Sequence, residues 1–223
     1  WIDVPVVNLG VAHAGLSLFS DEVALLDIAA KSRVTVLQVL GAQNMSNRLY
    51  SVHSRRNDRF LGVSSALRDI FPDVDFADIN FTGHLISTLR DASEAAFGVL
   101  VDELKWSWVQ RMRRILSLIN GDVILLWISD RNPGEPDTNL DMMEPHFVDD
   151  AMISELQRDF TDIVKVVLDD AKTLEGKSFP PQEAEAARCL PGPAAHLRIS
   201  EALAPVVSAY LRAAGDGARA ACI

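Results

Sequence analysis

The sequence lacks the features of a disulfide scaffold, a membrane span or a secretory leader. Its two cysteines, Cys189 and Cys222, are too few for a disulfide framework, and we expect both to be free thiols. No apolar run reaches the roughly 18 residues that a helix needs to cross a bilayer, and the N-terminus has no basic segment followed by an apolar one. These absences predict a soluble protein with no membrane span, with a slight preference for a cytoplasmic location.

Basic residues are also scarce. The chain has 21 Lys and Arg against 31 Asp and Glu, a net charge of −10 that repels a phosphate backbone, so we expect no nucleic-acid partner. The five histidines show no paired metal-ligand spacing, and neither a Walker loop nor a dinucleotide glycine fingerprint is present. The sequence therefore predicts no metal and no cofactor, and it leaves the oligomeric state open.

The chain does contain continuous apolar runs typical of strands that are buried on both faces. They cover residues 4–9, 34–40, 123–128 and 163–168. Helical patterns alternate with them and predict helices over residues 21–31, 93–120 and 194–213. This order predicts an α/β fold with a mostly parallel sheet.

The composition predicts one domain. A chain of 223 residues that is 48% hydrophobic can form one sizeable core. We assign residues 1–215 to this domain, with an irregular insertion at about residues 48–90, and residues 216–223 to a flexible tail rich in small residues.

Polar turns follow the first two predicted strands. One runs from Asn8 and Gly10 to Gly15, and the other is Gly41-Ala42-Gln43-Asn44. In a parallel sheet such turns lie at the carboxyl edge, where backbone N–H groups and helix N-termini converge on ligands. With His196 at the start of the last helix they outline a possible active site. The simpler alternatives are turn chemistry for Asn8 and Gly10 and helix capping for Asn44 and His196.

These motifs resemble the second, third and fifth sequence blocks of the SGNH (GDSL-like) hydrolase superfamily. The run from Gly41 to Phe60 resembles more closely an alphaproteobacterial domain family of unknown function that looks like a distant branch of it. The resemblance implies a flavodoxin-like three-layer α/β/α sandwich that hydrolyses an ester or O-acyl group of a small or carbohydrate-linked substrate. It also implies a Ser nucleophile, a His base and an oxyanion hole.

Carried over by position, the resemblance assigns a role to individual residues. His196 takes the place of the base, and because Pro193 stands where its acid is expected, Asp130, Glu183 or Glu185 would orient it. The oxyanion and binding turns comprise Asn8, Gly10, His13, Gly15 and Gly41, with Gln43 or Asn44 as the side-chain donor.

The first sequence block, which carries the nucleophile on a central strand, is absent from this chain. In the strand order typical of the fold, the first strand lies between the second and third, and without it two ladder edges would be buried and unpaired. We therefore expect a βα unit before Trp1 or another segment in that position.

A basic cluster directly follows the second turn, and it consists of Arg48, His53, Arg55, Arg56 and Arg59. It is a candidate anchor for a carboxylate, sulfate or phosphate of the substrate. The alternative is pairing with nearby aspartates such as Asp58, Asp69, Asp73 and Asp75.

For the whole protein, a competing function is that of a non-catalytic domain that binds a saccharide or anionic ligand. A third is that of an acyltransferase that uses the same groups.

Overall fold

The computed structural model describes residues 4–137, 144–168, 173–188, 190–213 and 220–222. Cys189 and residues 216–219 and 223 of the predicted tail lie outside these ranges. Within them a parallel sheet is flanked by helices on both faces, which confirms the predicted α/β/α sandwich.

The strands have the following bounds in chain order. They are β1 (Val6–Asn8), β2 (Val34–Gln38), β3 (Tyr50–Val52), β4 (Phe60–Val63), β5 (Asp122–Ser129), β6 (Asp162–Val167) and β7 (Ala220–Cys222). The order in the main sheet is β1-β7-β2-β5-β6, and all of its pairings are parallel. Strands β3 and β4 form a separate antiparallel pair.

Strand β7 occupies the position that the SGNH-like strand order assigns to a first strand. Cys222 lies opposite Asn8 of β1 on one side and opposite Val36 of β2 on the other. Both neighbouring ladders are thus paired at this position. Residues 220–222 were predicted to belong to the flexible tail, but the structure places them in the sheet.

The helices have the following bounds. They are α1 (Leu16–Asp21), α2 (Val23–Ala30), α3 (Ser65–Ile70), α4 (Thr82–Ala92), α5 (Glu94–Ser117), α6 (Asp150–Glu155), α7 (Ala184–Arg188) and α8 (Pro193–Ala213), with a 3₁₀ turn at Pro181–Glu183. The helix expected over residues 21–31 corresponds to α2, and α1 is a separate helix before it, because Glu22 between the two is extended. None of the described helices is long and apolar enough to span a membrane.

The two faces of the sheet pack against different helices. Successive residues of β2 point to opposite faces, so that Leu37 joins the core under α1 and α5 while Val36 joins the core under α8. The insertion at residues 48–90 contains the β3–β4 pair and helices α3 and α4, and its side chains Leu67 and Leu85 belong to the α5-side core. The insertion therefore stands over the α5 side of the sheet.

Candidate functional site

A cavity of about 420 Å³ lies at the carboxyl edge of the sheet, between the turn after β2, helix α4 and the loop after β5. The polar side chains on its walls include Gln43, Asn44, Asp58, Thr82, Glu144 and His146. Strands β2 and β5 are direct neighbours, so the segments that follow them meet. The Ala42 backbone N–H donates to the His146 carbonyl at 2.9 Å and joins the two segments.

The turn after β2 is fixed from several sides. The Trp108 indole N–H donates to the Leu40 carbonyl at 2.8 Å, and the buried Tyr50 hydroxyl donates to the Gln43 carbonyl at 2.5 Å. At Gly41 a Cβ atom would collide with the carboxylate of Glu144. The turn is therefore shaped to bring Glu144 close to its backbone.

The turn after β1 contacts the turn after β2, as the parallel arrangement predicts. A Cβ atom at Gly15 would collide with the Asn44 carbonyl oxygen, so the two backbones are in direct contact. The buried Asn57 side chain fixes this corner, since its Oδ1 accepts from the Gly15 N–H at 2.7 Å and from the Leu18 N–H at 3.1 Å. Of the predicted site residues, Gly15, Gly41, Gln43 and Asn44 thus lie together.

The remaining residues of the first turn lie further out. Asn8 is exposed, and its Oδ1 accepts from the Gly10 N–H at 2.9 Å, a local turn interaction. His13 has a positive φ of 61° and is also exposed. Its Nδ1 lies 3.7 Å from Asp58 Oδ2, so it reaches the cavity through the Asp58 carboxylate.

Several donors converge on the carboxylate of Glu144. It accepts from the amide of Gln43, from Asn44 Nδ2 at 3.4 Å and from the His146 backbone N–H at 3.1 Å. At the other end of the Asn44 amide, Oδ1 accepts from the Thr82 hydroxyl at 2.5 Å. The two contacts fix the orientation of the Asn44 amide, with Nδ2 toward Glu144.

His146 and Asp137 form a buried pair beside these amides. Nδ1 of His146 lies 3.4 Å from Asp137 Oδ1, and the side chains are only 10% and 12% exposed. The Phe147 N–H donates to Asp137 Oδ2 at 2.8 Å, and Phe147 has a positive φ of 60°. The carboxylate is therefore held by the backbone as well as by the imidazole.

The pair shifts the pKa values of both groups. Burial by itself lowers the pKa of His146, but the hydrogen bond to Asp137 and the charges of Glu144 and Asp137 outweigh it and place this pKa above the ordinary value. Burial by itself raises the pKa of Asp137, but the hydrogen bonds from His146 and the Phe147 N–H bring it below the usual range. An ion pair of imidazolium and carboxylate is favoured at mildly acidic pH.

Sequence reasoning missed the pair of His146 and Asp137. The two residues are separated by nine positions, a spacing with no meaning on a helix or strand, and only the fold of the loop joins them. The available signal was the pair of turn motifs that follows β5, at Asn132-Pro133-Gly134 and Glu135-Pro136-Asp137. A long loop at the carboxyl edge is where binding residues are expected.

His196 lies in a different cavity. It is exposed near the start of α8, and it shares a space of about 420 Å³ with Lys177, Glu183 and Pro193. Helix α8 packs on the face of the sheet opposite α5, and Arg198 of this helix donates to the carbonyl of Val167 at the end of β6. Strand β6 is one strand further from β2 than β5 is, which separates His196 from Asn44.

The other predicted partners of His196 are dispersed. Asp130 directly follows β5, and Glu185 pairs with Arg188 at 3.5 Å in α7. Glu183 is the one among them that lines the same cavity as His196. The roles carried over for His196 and Asp130 remain predictions.

The basic cluster after the second turn is divided among several partners. Arg48 pairs with Glu103, Arg55 with Glu22 at 3.3 Å and Arg56 with Asp58 at 3.1 Å. The Arg59 guanidinium lies over the Phe81 ring at 5.5 Å, and His53 Nδ1 accepts from the N–H groups of Arg55 and Arg56. Since Asp58 and Phe81 line the cavity, Arg56 and Arg59 support its rim, whereas Arg48 faces away from it.

The comparisons with known proteins identify a family. The profile described as Domain of unknown function (DUF6473) matches residues 1–211, which is nearly the whole chain. No curated protein and no solved structure shows a significant match. In the described part of the chain, no group of three or more His, Cys, Asp or Glu side chains is placed to hold a metal ion.

Proposed function

The chain belongs to the family Domain of unknown function (DUF6473), and we propose that it is an SGNH-like hydrolase that cleaves an ester or O-acyl group in the cavity between Asn44 and His146. One observation carries this proposal. The imidazole of His146, which is paired with the buried Asp137 carboxylate, lines the same cavity as the fixed amide of Asn44, at the carboxyl edge of a parallel sheet. These are the groups that acyl transfer needs for proton transfer and for charge stabilisation.

His146 acts as the general base in this proposal. Its Nδ1 faces Asp137, which leaves Nε2 to take the proton of an attacking hydroxyl and to return it to the leaving alcohol. Asp137 orients the ring and stabilises the imidazolium that forms. This role goes to His146 in preference to His196 because His146 shares the cavity with Asn44.

Asn44 is the oxyanion donor. The Thr82 hydroxyl holds its Oδ1, so that Nδ2 is available on the side of Glu144, and its contact with that carboxylate is long at 3.4 Å. Gln43 is less suited because its amide is bound closely to Glu144. The Gly15 N–H is also engaged, with Asn57. A preorganised donor of this kind typically contributes about 100-fold or more to the rate.

The SGNH pattern implies a serine as the attacking group, and it would have to come from a segment other than β7, because β7 occupies the strand position between β1 and β2 and contains no serine. The hydroxyls of Thr82 and Ser87 on the cavity wall are committed elsewhere, to Asn44 and to the His84 carbonyl respectively. Direct attack by water would use the same base and donor, and the experiment below separates the two routes.

The substrate that fits the cavity carries hydroxyl groups. Two buried acceptors on the walls, Gln43 Oε1 and Asp58 Oδ1, have no hydrogen-bond partner among the described residues. An unpaired buried acceptor costs about 1–3 kcal/mol, and a side-chain rotation that turns either oxygen toward the cavity lets a ligand hydroxyl remove this cost. The carbohydrate part of an O-acylated substrate supplies such hydroxyls beside the ester.

The test measures hydrolysis of p-nitrophenyl acetate by the wild type and by two matched variants, His146→Ala and His196→Ala. We expect His146→Ala to lower kcat/KM by about 100-fold or more and His196→Ala to change it by less than about threefold. Labelling by a fluorophosphonate probe indicates the serine, and turnover without labelling indicates water. A larger loss of kcat/KM in His196→Ala than in His146→Ala would overturn the assignment of His146 as the base.

One observation favours a second candidate function, a non-catalytic domain that binds an anionic saccharide. The amides of Gln43 and Asn44 and the His146 N–H already hold a carboxylate, that of Glu144. A substrate carboxylate recognised in its place would make the cavity a binding site. The absence of both turnover and labelling in the wild type would favour this candidate.

A further inference from the structure

A second site lies outside this cavity, in a groove of about 460 Å³ between α5 and the segment after Asn44. Three arginines line it, Arg48, Arg111 and Arg114, together with Trp106, which is 53% exposed. The whole chain carries a net charge of −10, so this groove has a local charge opposite to that of the molecule. Such a patch attracts anions at short range.

Neutral oxygens hold the guanidinium of Arg111. Its Nη1 donates to Ser17 Oγ at 2.9 Å and to Ser20 Oγ at 3.1 Å, and its Nη2 donates to the Ser46 carbonyl at 3.0 Å. The Asp21 carboxylate stands off at 4.0 Å. Burial lowers the pKa of Arg111. The charge of Asp21 raises this pKa, and the charge of Arg114 lowers it further. The guanidinium is thus fixed in place with its charge only partly compensated.

Arg114 and Arg48 differ in how their charges are balanced. Arg114 follows Arg111 by three residues on α5 and so lies on the same face of the helix. No carboxylate within the described ranges forms an ion pair with it. Arg48 is neutralised by the buried Glu103 and covers the Trp106 ring at 4.7 Å. Arg111 and Arg114 are therefore the cations left to meet an incoming anion.

We propose that this groove binds the phosphate group of a phosphorylated small molecule between Arg111 and Arg114, with Trp106 as the wall beside it. A phosphate supplies close to two negative charges and three acceptor oxygens, which matches two guanidinium groups better than a carboxylate does. The side-chain amide of Gln110 on the same wall supplies a neutral donor. The inference does not depend on the hydrolase proposal, because it uses none of the residues of that cavity.

The test is a titration of the whole chain with inorganic phosphate at constant ionic strength, balanced with sodium chloride and followed by tryptophan fluorescence and by Tm. We expect saturable binding with a Kd of about 1 mM or tighter in the wild type. The exposed Arg114→Gln change weakens it by about fivefold or more. The matched control is Arg113→Gln, which removes the same charge from the same helix and stays within about twofold.

The control is matched because Arg113 points to other partners, Glu155 at 3.0 Å and Asp159 at 3.6 Å. Equal weakening of phosphate binding in both variants would show that only the net charge matters and would overturn the proposed site. A response to phosphate no larger than the response to chloride would overturn it as well. A parallel titration with sodium acetate tests the class of anion. Tighter binding of acetate than of phosphate would overturn the assignment to phosphate.

Discussion

At the scale of single residues, Asp137 sets both the orientation and the pKa of the His146 imidazole. Replacement by Asn removes the charge that favours the imidazolium, and we expect the pKa of His146 to fall in Asp137→Asn. The acidic limb of the pH profile of kcat/KM then moves to lower pH. The maximum value of kcat/KM falls by about 100-fold or more, because the His146 ring loses the acceptor that orients it. NMR titration of the imidazole and the pH–rate profile measure the two effects.

The matched control for that change is Glu135→Gln. Glu135 is a carboxylate of the same loop, and its hydrogen bonds go to Asn132 rather than to His146. The control should leave the titration of His146 close to that of the wild type. An unchanged titration in Asp137→Asn would contradict the role of this carboxylate.

At the scale of elements, the contact between the N-terminus of α1 and the turn after β2 positions Asn44. Gly15→Ala brings a Cβ atom against the Asn44 carbonyl, a backbone atom that cannot rotate away, and we expect a loss of about 1–3 kcal/mol in the free energy of unfolding. Gly62→Ala is the control, since open space surrounds that position. Urea denaturation checks both, and an equal, small effect would contradict the close packing.

The elements differ in how well the sequence predicts them. The apolar runs of β2, β5 and β6 were sufficient to predict these strands, because buried parallel strands are apolar on both faces. The apolar pattern of α5 was sufficient to predict this helix, because Leu104, Trp108 and Met112 recur at helical spacing and are all buried. Helix α4 in the insertion was missed.

The site was only partly predictable for a different physical reason. Gln43 and Asn44 follow a recognisable strand, whereas His146 meets Asp137 only when the loop after β5 folds onto the turn after β2. Arg111 has the sequence position of a solvated helix residue, yet the two serines of α1 and the Ser46 carbonyl enclose it. Contacts of this kind depend on tertiary packing between distant segments, which local periodicity does not encode.

At the scale of the whole molecule, the shifted pKa values predict how stability depends on pH. Burial alone would raise the pKa of the carboxyls of Glu103, Asp137 and Asp149, but their hydrogen bonds and cationic partners bring all three below the usual range. Their contribution to stability is present above the unfolded-state pKa of about 4 and is lost as the pH falls through the folded-state values. We therefore expect the free energy of unfolding to decline as the pH falls through these folded-state values.

His146 gives the opposite dependence on the alkaline side. Because its folded-state pKa is raised, its contribution is complete below the unfolded-state value of about 6.5 and is lost as the pH rises through the folded-state value. Urea denaturation from about pH 3.5 to 8.5 should thus show greatest stability between about pH 5 and 6.5. His146→Gln should remove the alkaline decline and keep the acidic one, whereas His84→Gln, at an exposed position on α4, should reproduce the wild-type curve. An alkaline decline that persists in His146→Gln would show that another group causes it and that the His146–Asp137 pair contributes little to the fold.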